Sequence, residues 1–128
     1  MLSVLIIGAV AALQPQGPPP RPTGTMRTDL QRHDLSVSGW ETLQALVSFA
    51  PGASFLKHRH PGEEIIYITS GSIEYVVEGK PPITVKAGEV LFVPHGAVHS
   101  ARNVGAGPAA ELATYVLEKG KPLVEFAE

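Results

Sequence analysis

A chain of 128 residues is long enough for one domain with a real core and too short for two. With 44% hydrophobic and 17% charged residues it has neither a disordered nor a repeat composition, and a formal charge of −2 without any basic run argues against a nucleic-acid partner. The absence of cysteine removes disulfides, thiolate nucleophiles and thiolate metal sites, so any metal must be held by His and carboxylate.

The first feature in chain order is the apolar stretch Leu2 to Leu13, which ends in small residues. It resembles the core and cleavage zone of a secretory signal peptide, although no Lys or Arg precedes it, and it is too short to span a bilayer. Residues 1–13 are therefore expected to be an export signal to the periplasm or medium, with an apolar tail on a cytoplasmic protein as the alternative. Residues 14–25 (QPQGPPPRPTGT) are rich in proline, which favours extended backbone, and read as a linker. The folded unit is expected over residues 26–128, without a stable membrane span.

From Leu43 onward, short runs of β-branched and aromatic residues alternate with Gly and Pro punctuation: LQALVSFA, EIIYIT, SIEYVVE, ITVK, EVLFV and ELATYVLE. This spacing predicts an all-β sandwich or barrel. In Ser72 to Glu78 the alternation places Ile73, Tyr75 and Val77 on one face, which should be buried.

Within this pattern, His58 and His60 are two residues apart, a spacing that puts both imidazoles on one face of a strand. If extended geometry persists through Pro61-Gly62, Glu64 shares their parity. His99, just after Pro94-His95-Gly96, is a fourth candidate. Three imidazoles and a carboxylate form a donor set suited to Fe, Mn, Ni, Cu, Co or Zn and poorly suited to Ca²⁺ or Mg²⁺.

The glycines make the pattern more specific. The first segment reads Gly52, five residues, His58, one, His60, three, Glu64, six, Gly71; the second reads Gly88, five, Pro94, one, Gly96, two, His99, three, Asn103. Together they resemble the two motifs of the cupin superfamily, with sixteen residues between them matching its short inter-motif loop. The resemblance implies a double-stranded β-helix, or jelly roll, closed around an inner pocket. It also implies metal ligation by His58, His60, Glu64 and His99, and turn-shaping by the glycines, Pro94 and Asn103.

Three His and one Glu around an octahedral metal leave two positions open, which favours catalysis over a structural role. Ile66 and Ile68, which share the parity of Glu64, are expected to form an apolar pocket wall. The leading expectation is a metal-dependent dioxygenase similar to the quercetin-dioxygenase-like cupins, acting on a small enolisable or phenolic compound, with Glu64 as ligand and base together. The alternatives are a non-redox isomerase, lyase or decarboxylase, and a non-catalytic small-molecule-binding cupin. His33, His95, Arg59 and Glu63 read as solvent-facing, while Trp40, Tyr67, Tyr75, Phe92 and Tyr115 read as core or interface aromatics. Either Glu111 to Glu118 or the segment before Leu43 is expected to supply the edge at which a homodimer closes.

Overall fold

Alternation of apolar and polar side chains sets the architecture of the computed structural model, which describes residues 23–128. The apolar stretch at 1–13 and most of the 14–25 linker lie outside the described residues. Ten strands follow in chain order: β1 (Thr25–Asp34), β2 (Trp40–Phe49), β3 (Ser54–Arg59), β4 (Gly62–Ser70), β5 (Ser72–Val77), β6 (Ile83–Lys86), β7 (Val90–Val93), β8 (His99–Asn103), β9 (Ala109–Glu118) and β10 (Glu125–Phe126). No helix among the described residues is long and apolar enough to cross a membrane.

The strands form two antiparallel sheets, one in the order β1-β2-β9-β4-β7 and the other β10-β3-β8-β5-β6. This is the jelly roll expected from the sequence, and β2, β4, β5 and β9 each bury alternate residues between the sheets. In β5, Ile73, Tyr75 and Val77 are buried as their alternation predicts. In β9 the buried parity is Ala109, Glu111, Ala113, Tyr115 and Leu117. Phe49, Ile66, Ile68, Ile73 and Val93 fill the core between the sheets.

One expectation is corrected here, and its alternative stands. The strand Glu111–Glu118 is not an edge: β9 pairs with β2 along one side and β4 along the other, which leaves it no free hydrogen-bonding groups for a second subunit. The polar segment before Leu43 is largely β1, an edge strand that follows β2 from Thr25↔Phe49 to Asp34↔Glu41. Nearly all of its side chains are exposed, so it has no buried face to betray it by alternation.

Gly52, Gly71, Gly88 and Gly96 all take positive φ, as their places at strand reversals require. Gly62 has a different role. The chain passes there from β3 in one sheet to β4 in the other, and a Cβ would lie 1.7 Å from the Val116 carbonyl oxygen. Only a residue without a side chain lets β4 come this close to β9 at the corner.

Candidate metal centre

His58 lies one residue before the end of β3 with its imidazole turned inward, and the β3–β8 register sets it directly opposite His99. Their ring centroids are 4.2 Å apart. His60 follows one step beyond β3, with its ring 4.8 Å from His58 and 5.1 Å from His99. One ring nitrogen from each histidine lies within 4.8 Å of the others, and all three residues are buried.

Glu64 reaches the cluster by a different path from the shared strand face that its spacing suggests. Pro61-Gly62 is a corner rather than a small irregularity, so Glu64 belongs to β4 in the opposite sheet, across from Tyr115. Its side chain meets the histidines because the inner faces of the two sheets oppose each other. Glu64 Oε2 is 3.0 Å from His99 Nε2 and 3.2 Å from His60 Nε2.

The other nitrogen of each ring fixes its protonation. His58 Nδ1 lies 2.6 Å from the Leu56 carbonyl, His60 Nδ1 2.7 Å from that of Leu123, and His99 Nδ1 2.9 Å from that of Ala97. A carbonyl oxygen only accepts, so each Nδ1–H donates, and in the neutral ring the Nε2 lone pair is the free one. For His60 and His99 that lone pair faces a carboxylate oxygen. Two acceptors at such a separation repel unless a cation, either a proton or a metal ion, sits among them.

The surroundings fit a metal. His60 Nε2 is buried and makes no hydrogen bond among the described residues, the orphaned state that a metal bond would end. Burial, with the neighbouring His99, pushes His58 down to about 4, keeping it neutral and able to ligate at ordinary pH. Burial would raise the Glu64 carboxyl, but the neighbouring imidazoles of His60 and His99 outweigh it and hold it at about 2. Three imidazoles and a carboxylate are donors for a divalent transition metal.

The cluster opens on a cavity with an empty volume of about 480 Å³, part of it open to solvent. Val47, Phe49, Phe55, Ala101 and Leu123 form its apolar wall. Ile66 and Ile68 have the inward parity expected of them but are fully buried in the adjoining core, so the wall comes from β2, β3, β8 and the segment after β9 instead. His95 and His33 are solvent-facing as expected, His95 with its ring edge-on to Trp40 at 5.9 Å. Arg59 is exposed and lies 3.6 Å from Glu125. Tyr67 and Phe92 stand outside the barrel, whereas Tyr75 and Tyr115 line the cavity.

Sequence reasoning missed the polar side chains of that lining: Glu111, Tyr75 and Tyr115, with Arg27 at the edge. Tyr115 lies edge-on to His60 at 4.9 Å, and burial together with the charge of Glu64 pushes its hydroxyl well above 10. A signal for Glu111 was present, since it shares the parity of Ala113, Tyr115 and Leu117.

Comparison with known proteins identifies the family. Residues 45–115 match the family described as Cupin domain. Dimethylsulfoniopropionate lyase DddQ of Ruegeria pomeroyi is 38% identical over 63 residues, covering 48% of this chain and 31% of that protein. The oxalate-binding protein of Thermotoga maritima is 38% identical over 76 residues, covering 59% of this chain and 62% of that one. The chain thus spans less than two thirds of the length of these curated relatives. Among solved structures, oxalate oxidase in complex with the substrate analogue glycolate superposes with a TM-score of 0.67 at 26% identity, covering 83% of this chain and 56% of that one. Because the family match runs from β2 into β9 and takes in more than half of the sequence, this protein belongs to the cupin family.

Proposed function

We propose that this cupin is a metal-dependent enzyme that transfers protons on a small organic oxyanion, with His58, His60, His99 and Glu64 as ligands of one divalent transition metal. The supporting observation is a buried cluster of three imidazoles, each with its Nδ1 tied to a carbonyl, with the Glu64 carboxylate against two of them, His60 and His99. A bound metal would supply Lewis acidity toward a substrate oxygen. Glu64 serves as ligand and proton acceptor, and the neutral Tyr115 phenol beside it is a proton donor. The apolar wall keeps bulk water from the reacting groups. Similarity to a protein named as a lyase supports this chemistry.

The second reading is the dioxygenase expected from the sequence; the likeness to oxalate oxidase favours its dependence on dioxygen. Both readings are tested by assaying protein loaded in turn with Fe, Mn, Co, Ni, Cu and Zn on small carboxylates and phenols, with and without dioxygen. Equal turnover in the two atmospheres supports proton transfer, and turnover that stops without dioxygen supports the dioxygenase. No turnover with any metal counts against an enzyme.

We also propose that the working form is a homodimer. Two cross-strand rows on the outer face of the first sheet, Leu46–Leu112–Tyr67–Val90 and Gln44–Thr114–Ile65–Phe92, hold no charged side chain. Phe92 is 54% and Val90 68% exposed. A neutral, apolar sheet face is self-complementary, which suits a two-fold contact with a second copy.

A further inference from the structure

The cavity has a second polar end that the metal centre leaves unused. Glu111 sits in the inward-facing row Arg27–Val47–Glu111–Ile68, which crosses the first sheet from edge to centre. It is only 5% exposed and lines the same cavity as the histidines. From the opposite sheet, the Tyr75 hydroxyl donates to its Oε2, and among the described residues this is its one hydrogen bond. Its neighbours in the row, Val47 and Ile68, are apolar.

No cation balances this carboxyl. Arg27 ends the row, but its side chain is 41% exposed and its guanidinium pairs with Asp29 at 2.9 Å. The other titratable groups facing the cavity are Glu64 from β4, Tyr115 from β9, Tyr75 from β5, and the three histidines. An ionised, unpaired carboxylate in such surroundings is strongly disfavoured, and a second carboxylate in the cavity disfavours it further. Burial and the charge of Glu64 accordingly push the Glu111 carboxyl up to about 8, against the opposing pull of the Tyr75 hydrogen bond.

We propose that Glu111 is the protonated acid of this cavity, and that with Tyr75 behind it Glu111 forms a subsite that donates a hydrogen bond to a carboxylate or similar oxyanion whose other end meets the metal centre. The ligand's placement rests on the metal-enzyme reading; the state of Glu111 does not. Should the ligand oxygen take the proton, the Glu111 O–H bond breaks as the new O–H bond forms, and Tyr75 O–H remains to hold the resulting carboxylate. Glu111 then acts as a general acid remote from the metal.

Two measurements test this. In metal-free protein with ¹³C-labelled glutamate, the signal absent from Glu111→Gln is followed from pH 5 to 9; it is expected to keep its protonated shift at pH 7, and an ionised shift at pH 7 overturns the proposal. Malonate binding is then followed by the visible absorption of the Co(II)-loaded protein. Glu111→Gln keeps a neutral donor and is expected to bind malonate within about twofold of wild type at pH 7, whereas Glu111→Leu is expected to bind roughly tenfold more weakly. An ionised Glu111 would repel malonate, so a Gln variant that binds about tenfold more tightly overturns the subsite. If Co(II) fails to bind, the metal reading falls, and the carbon signal of the metal-free protein still decides the proton. Thermal unfolding checks that each variant is folded, and the Gln variant with the carbon titration decides the matter if Leu is not tolerated.

Discussion

Replacing Glu111 with Gln should reshape the dependence of stability on pH. The Glu111 carboxyl titrates near 4.5 when unfolded and near 8 in the folded protein, so between these values the native state holds a proton that the unfolded chain has lost. Raising the pH across that window therefore costs stability, at about 1.4 kcal/mol per pH unit. His58 has the opposite displacement, from 6.5 down to about 4, so stability falls as pH drops through its window. Between 4.5 and 6.5 the two slopes cancel, and above 6.5 only that of Glu111 remains. The metal-free wild type should then lose about 2 kcal/mol between pH 6.5 and 8. For a domain of this size that lowers the melting temperature by roughly 7 to 9 °C. Below 4.5 the depressed carboxyl of Glu64 joins His58, and stability falls on the acid side as well. Calorimetry of EDTA-treated protein across pH 4 to 8 measures the profile. In Glu111→Gln the alkaline limb should be flat while the acid limb remains; an unchanged alkaline limb in the variant would refute the assignment of that proton to Glu111.

Divalent metal at about a hundredfold excess over its dissociation constant should stabilise the wild type by about 2.7 kcal/mol, and neither His60→Ala nor His99→Ala should show this shift in a melting scan. Asn103 is buried, donates to the Phe49, Ala50 and Gly107 carbonyls, and accepts from the Gly105 amide. Asn103→Ala strands those groups and should cost about 2 to 4 kcal/mol in urea unfolding, with a loss under 1 kcal/mol counting against the role. Phe92→Lys puts a charge at the exposed β7 end of the outer apolar face and should convert a dimer to a monomer by light scattering; a mass that does not change, whether monomer or dimer, argues against that face as the contact.

Much of the barrel could be read from residues alone because most of its strands bury one face, which prints a two-residue period on the sequence. The strand β1 buries neither face, so TMRTDLQRHD carries no such period and reads as a polar lead. His58, His60 and His99 were found by spacing, and the structure brings them together. Glu64 was found by an argument from strand parity that the corner at Pro61-Gly62 invalidates, because parity describes one strand and says nothing of which sheet follows. The role of Gly62 depends on the Val116 carbonyl fifty-four residues away, which no local pattern reports. Glu111 went unrecognised because a glutamate opening a strand is normally a solvated end. Its burial follows from the long strand β9 beginning two residues earlier, at Ala109.

One contact ties the metal centre to a part of the chain outside its motifs. The Leu123 carbonyl that orients His60 lies in the segment joining β9 to β10, and Leu123 and Val124 of that segment also line the cavity. The same few residues therefore aim an inner ligand and shape the space in front of it. Substitutions in that connector can retune affinity and substrate fit together while every coordinating side chain stays the same, making it a natural place for related chains to diverge in chemistry.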